Sequence, residues 1–199
     1  MEVEVVIQHN ANIGTSLELG CGPHKRNPDA VGVDALDYPG VDVVADALEY
    51  LRGLPDESVS QIYSEHFLEH IDDARSIVAE ASRVLRVGGE FRAIVPHHSN
   101  PYFYSDPTHT TFFGLYTMSY WTSRTPLRRS VPVYRDSLPF ELCAVSLIFK
   151  SSRPFYIRHV IKKCLTFWVN WSSWSQEFYE EMLTPLLPAY EIDFMLVRI

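Results

Sequence analysis

The stretch 15–34, TSLELGCGPHKRNPDAVGVD, limits the choice of fold more than any other part of the chain. It reads as a buried strand, a glycine turn, a short link and a second strand that ends in an acid. Leu17 and Leu19 lead into Gly20-Cys21-Gly22, where missing side chains let the backbone turn sharply and come close to a ligand. Val31-Gly32-Val33 then carries the carboxylate of Asp34 to a strand end. In open parallel sheets ligands sit beyond the carboxyl ends of the strands, and an acid there can take both hydroxyls of a ribose. The stretch therefore predicts a nucleoside-bearing cofactor.

What the glycines lack narrows the choice. A dinucleotide site needs G-x-G-x-x-G feeding a full helix whose amino terminus meets the pyrophosphate. Lys25 stands where the third glycine would be, and the eight residues between Gly22 and Val31 include Pro23 and Pro28. At most one helical turn fits there. An adenosine without phosphates fits better, with its ribose on Asp34 and its tail over the glycine turn.

Five segments, LELGCG, the strand-end Asp34, Asp46-Ala47, SEHFLEHI and RVLRVGGEFRAIVP, together resemble the Rossmann-like S-adenosylmethionine-dependent methyltransferases in order and spacing. The resemblance covers about residues 15 to 120 and is closest to a small subgroup with a shortened first crossover and a D-P-T-H segment after the fifth strand. It implies a three-layer α/β sandwich with a seven-stranded, mostly parallel sheet, the final strand inserted antiparallel beside the fifth. It also implies S-adenosyl-L-methionine as cofactor.

Composition sets outer bounds. A chain of 199 residues predicts a single domain, 1–199, able to bury a core without staples. Cys21, Cys143 and Cys164 suggest neither a disulfide framework nor a metal-ligand pair, so a reducing cytoplasm is expected. The first ten residues carry acids and are too short in apolar run for a signal peptide or membrane span. The net charge of −8 is unevenly spread, because residues 121–163 hold nine Lys or Arg against two acids. That basic segment suits an anionic small-molecule acceptor or forms a solvated face. An acidic chain without a long basic groove argues against nucleic acid as substrate.

Along the chain, strands are expected at 15–20, 31–35, 41–45, 60–64, 90–96, 140–150 and 189–199, with an extended piece before residue 14. Asp72-Asp73 starts a helix whose apolar residues Ile77, Val78, Ala81, Val84 and Leu85 have helical spacing, with Gly88-Gly89 as its stop. Residues 155–187 read as helical cover over the acceptor pocket. One face there carries Ile157, Ile161, Cys164, Leu165, Trp168 and Val169, and the other Arg158, His159, Lys162 and Lys163. Packing as a lid is the expected use of that apolar face, ahead of contact with a membrane surface through 155–174.

Several residues carry candidate chemistry. Gly20, Cys21 and Gly22 form the turn under the cofactor, and Asp34 with Ala35 meets its ribose. By the resemblance, Asp46 and Ala47 meet the adenine, although Asp46 is equally a helix cap. Ser64 and Glu65 end the fourth strand, where the resemblance places the methionine part of the cofactor. Lys25 offers a cation in place of the dipole of the missing helix. His66 and His70, one helical turn apart with Glu65 and Glu69, invite a metal, but no further ligand pair completes the set and no metal is expected. His109 is the candidate general base with Asp106 as orienting partner, against the alternative that both only hold their loop. The reading is a methyltransferase for a small-molecule acceptor. The alternative is a silent cofactor-binding partner subunit, and a nicotinamide oxidoreductase is disfavoured by the missing glycine.

Overall fold

The structure is a computed structural model that describes residues 15–151 and 156–199, so the extended piece expected before residue 14 lies outside the described residues. Its elements in chain order are β1 (Thr15–Leu19), β2 (Val31–Asp34), β3 (Val43–Val44), α1 (Ala47–Gly53), β4 (Val59–Glu65), α2 (Ala74–Val84), β5 (Leu85–Pro96), β6 (Thr122–Arg124), β7 (Leu138–Ile148), α3 (Tyr156–Val169), α4 (Ser173–Phe178) and β8 (Glu191–Arg198). They form one eight-stranded sheet in the order β3-β2-β1-β4-β5-β8-β7-β6. β8 runs antiparallel between β5 and β7, as the resemblance implied, and the other pairings are parallel. The count is eight rather than seven because β6, only Thr-Ser-Arg, has no apolar alternation to announce it and exists by pairing with β7.

Alternation and register give the sheet two unlike faces. Leu17, Ile62 and Phe91 stand in register with Leu196 of β8, and Leu19, Ser64 and Ala93 do so with Phe194. These side chains are buried in the core with Leu51 of α1 and with Ile77, Val78 and Ala81 of α2. Each such Leu, Ile or Phe contributes about 1.5–3 kcal/mol by leaving water. The other face is polar. Gln61, Tyr63 and Glu65 of β4 alternate outward beside Arg92 and Asp193, and Arg92 grips Asp193 at 2.7 Å. Ser16, Gln61, Tyr63, Arg92 and Met195 line a groove of about 370 Å³ there. The crossovers after β1 and β2 contain no helix, so the described residues build no third layer from them.

α2 starts as expected, with the Asp73 carboxylate accepting from Ser76 N, but it ends at Val84 and not at Gly88-Gly89. Leu85 is already extended and pairs with Val59, and the glycines lie in the irregular opening of β5. A side chain at position 89 would meet the carbonyls of Arg86 and Ser60 at 2.8 and 3.1 Å.

α3 departs further from expectation. Val169 is buried and Leu165 half-buried, yet Ile157, Ile161 and Trp168 are 81, 62 and 68% exposed. The reason lies in the edge of β7. Beyond its short pairing with β6 that strand has unpaired backbone groups, and polar side chains of this segment satisfy them: Leu147 N donates to Asn170 Oδ1, Asn170 Nδ2 donates to Leu147 O and Gln176 Nε2 donates to Val145 O. The segment turns its amides to the sheet edge and its aromatic stripe outward, which blunts an edge that would otherwise invite another strand. Among the described residues no helix is long and apolar enough to cross a membrane.

Candidate active site

The parallel register lines up the carboxyl ends of β1, β2, β3 and β4. Leu19 is level with Val33 and Ser64, and Asp34 with Val44. The glycine turn is held from below, since Gly20 N donates to Val33 O at 2.8 Å. Gly20 and Gly22 have φ of +64° and +53°, a region where a side chain costs about 1–2 kcal/mol. Their spaces differ. A Cβ on Gly20 would fall 2.5 Å from the Phe67 ring, whereas one on Gly22 would meet nothing within 4 Å. Gly20 is bare to seat Phe67, and Gly22 is bare beneath open space.

Asp34 closes this corner. Gly22 N donates to its Oδ2 and Leu36 N to its Oδ1, both at 2.9 Å, which fixes the carboxylate and leaves a lone pair on each oxygen. Ala35 follows it, exposed. Asp46 caps α1 through Glu49 N at 3.0 Å, so the helix-cap role is realised, with Ala47 buried as the first helical residue. Ser64 is 1% exposed and its hydroxyl has no hydrogen-bond partner among the described residues. Burial without a partner costs a hydroxyl about 1–3 kcal/mol.

Three expectations change here. Cys21 turns its thiol back towards Gly32, where burial pushes its pKa up, and offers a ligand its backbone only. Lys25 does not face the cofactor corner with a free charge, because its Nζ lies 2.6 Å from Asp42 and 2.7 Å from Ala30 O. The link folds back because the Glu18 carboxylate accepts from Arg26 N and Asn27 N, a buried acid that the sequence reading passed over. Glu65 turns to the polar face, receiving the Arg26 guanidinium at 2.8 Å and the Tyr63 hydroxyl at 2.6 Å. Burial raises its carboxyl pKa, and these two donors more than offset that.

The edge formed by β4 and β5 is built differently. His66 leaves β4 with φ of +53° and places its ring between two buried acids, Nδ1 3.3 Å from Glu69 and Nε2 3.2 Å from Glu191. Glu191 and then Glu69 push its pKa up to about 9, so it is a cation at neutral pH. The helical-turn pair of His66 and His70 therefore does not form. His70 turns instead to the loop after β5, its Nδ1 2.9 Å from Thr108 Oγ1. His109 is brought beside it, ring centroids 4.8 Å apart, with Nδ1 donating to Phe103 O and Nε2 3.7 Å from Asp106 Oδ2. His97, fully buried, pairs with Glu180 at 3.0 Å, and Glu180 also accepts from Leu115 N. That acid ties the end of the 155–187 segment to the loop.

Comparison with known proteins agrees with this geometry. Residues 17–93 match the family described as a methyltransferase domain. The segment belongs to that family. Its arrangement is the class I, Rossmann-like one. Among solved structures, a SAM-dependent methyltransferase from Archaeoglobus fulgidus is 17% identical with a TM-score of 0.62, over 94% of this chain and 87% of that one. Phosphoethanolamine N-methyltransferase 2 of Haemonchus contortus, in complex with S-adenosyl-L-methionine, is 14% identical with a TM-score of 0.53, over 94% of this chain and 49% of that one. The Haloferax volcanii complex between the Trm112 methyltransferase activator and a protein described as a methyltransferase gives 14% and 0.53, over 92% and 82%. No curated protein matches the chain. The residues at the first edge fit the cofactor, since Gly22 lies under open space and the buried Ser64 hydroxyl lacks a partner.

Proposed function

We propose that this chain transfers the methyl group of S-adenosylmethionine to a small-molecule acceptor. The observation that carries the proposal is the corner of Gly22, Asp34 and Ser64, which pairs an anchored carboxylate with bare backbone and an unsatisfied hydroxyl. Asp34 would hold the ribose, the backbone of Gly20 to Gly22 the amino-acid tail, and Asp46 with Ala47 the adenine. The cofactor supplies an activated methyl on a sulfonium, so the protein's task is alignment and exclusion of water.

The loop 97–121 and the cover drawn over it by Glu180 shape the acceptor side. With Nδ1 donating to Phe103 O, the lone pair of His109 sits on Nε2, available to take a proton from an acceptor that must lose one. The basic segment 121–163 favours an anionic acceptor, and Arg129, stacked 5.0 Å over Tyr116 beside the loop, belongs to it.

A second reading is a cofactor-binding subunit that transfers nothing and works on a partner. It is favoured by the outward aromatic face of Phe167, Trp168, Trp171 and Trp174, since large exposed apolar patches mark interaction surfaces. Turnover to S-adenosylhomocysteine across a panel of anionic and neutral acceptors separates the two. The enzyme reading predicts turnover on at least one acceptor. Tight cofactor binding with none on any would favour the subunit.

A further inference from the structure

The contact between His70 and His109 has a use that methyl transfer does not require. Ligand atoms of Glu69, His70 and His109 lie within 4.8 Å of one another. Glu69 is fully buried and its Oε2 has no hydrogen-bond partner among the described residues, the other oxygen facing His66. The oxygen that His66 does not reach is left without a partner in the interior, and a buried polar atom in that position is costly unless a further donor or a metal meets it.

The surrounding hydrogen bonds prepare the two imidazoles as ligands. His109 Nδ1 faces the Phe103 carbonyl and must donate to it, which puts the lone pair on Nε2. Thr108 Oγ1 gives its proton to Asp106 Oδ1 at 2.6 Å, so it accepts from His70 Nδ1 and leaves the lone pair of His70 on Nε2. Fixing the far nitrogen of a ligating histidine by a carbonyl or hydroxyl is the usual support of a metal site. The loop is also pinned in place, since Thr110 N and Thr111 N both donate to Glu69 O. Asp106 Oδ2 stands 3.7 Å from His109 Nε2, with its other oxygen occupied by Thr108.

We propose that Glu69, His70 and His109, with Asp106 beside them, form a binding site for one divalent first-row transition ion. Two imidazoles and a carboxylate suit zinc, iron, cobalt or nickel rather than calcium or magnesium, which take oxygen ligands. His70 and Asp106 are exposed, and a bound ion would draw the set to ligand distances of about 2.0–2.2 Å. Three protein ligands leave a position open for water or for an acceptor heteroatom. A bound ion takes the lone pair that a general base at His109 would use, so the two roles exclude each other.

The test is a zinc titration of the full-length, chelator-stripped protein by calorimetry, repeated with cobalt by absorption. The site predicts one saturable equivalent, a cobalt spectrum without thiolate charge transfer, and affinity at least about tenfold weaker in both His70→Ala and Glu69→Gln. His98→Ala, in the separate cluster of His97, His98 and Glu180, should bind as the native chain does. No saturable zinc, full affinity in His70→Ala, or a thiolate signature from the cysteines would overturn the site. His70→Ala removes an exposed side chain and keeps the test clear should Glu69→Gln fail to fold. The titration needs neither cofactor nor acceptor, so its failure leaves the methyl-transfer reading untouched, and the reverse.

Discussion

Two stretches of one sheet edge reach their function by different routes. At β1 and β2 the corner proposed for the cofactor is made mostly of backbone: a turn with two positive-φ glycines, and an aspartate fixed by Gly22 N and Leu36 N. At β4 and β5 it is made of side chains gathered from afar, with His66 held by Glu191 from 125 positions away and His97 by Glu180 from 83. A backbone corner tolerates change around it and fails at single positions. A charged network shares its load, and removing one member leaves the others buried and unbalanced.

The largest effect expected tests the first route. Gly20→Ala combines a left-handed φ with a collision against Phe67, and should cost roughly 3 kcal/mol of stability by denaturant melt. Gly22→Ala, with space around it, should cost only about 1–2 kcal/mol of stability and weaken cofactor binding instead. Equal stability losses would erase the distinction between the two glycines.

The second route predicts a smaller loss with a pH signature. His66 has its pKa raised from 6.5 to about 9 in the folded protein, so its stabilisation is complete below about pH 6.5 and is lost as pH climbs through 9. His66→Gln should cost about 2 kcal/mol at pH 6, allowing for the partial exposure of the ring, and nearly nothing at pH 10. Melts of both proteins across that range should converge at high pH, and parallel curves would refute the ion pairs.

Weaker again is Asn170→Ala, which strips the amide partner from both backbone groups of Leu147 and should cost about 1 kcal/mol in a melt. Smallest is Lys25→Ala. With its charge already on Asp42, its loss should change cofactor affinity by less than about twofold in the calorimeter, at a stability cost of about 1 kcal/mol or less. A tenfold loss of affinity would return Lys25 to the cofactor site.

The same contrast explains what the sequence made legible. The turn at Gly22, the strand-end place of Asp34 and the helix cap at Asp46 were readable because neighbours within a dozen residues dictate their geometry, and the antiparallel last strand followed from the resemblance. His66, Glu69 and Glu191 were not, because no spacing along the chain reports a pairing closed by the sheet. The helical period of α3 revealed an apolar stripe but not its direction. Asn170 and Gln176 decided that by bonding the edge of β7, and the stripe faces outward.

The central claim is that Asp34 and the open turn beneath it hold the nucleoside of the cofactor. Calorimetric titration of S-adenosylhomocysteine into the native chain and into Asp34→Ala tests it directly. One equivalent should bind the native protein, and the variant should bind about 100-fold more weakly, the loss of charge-assisted bonds worth about 3 kcal/mol. No binding to the native chain, or equal binding to both, would contradict it.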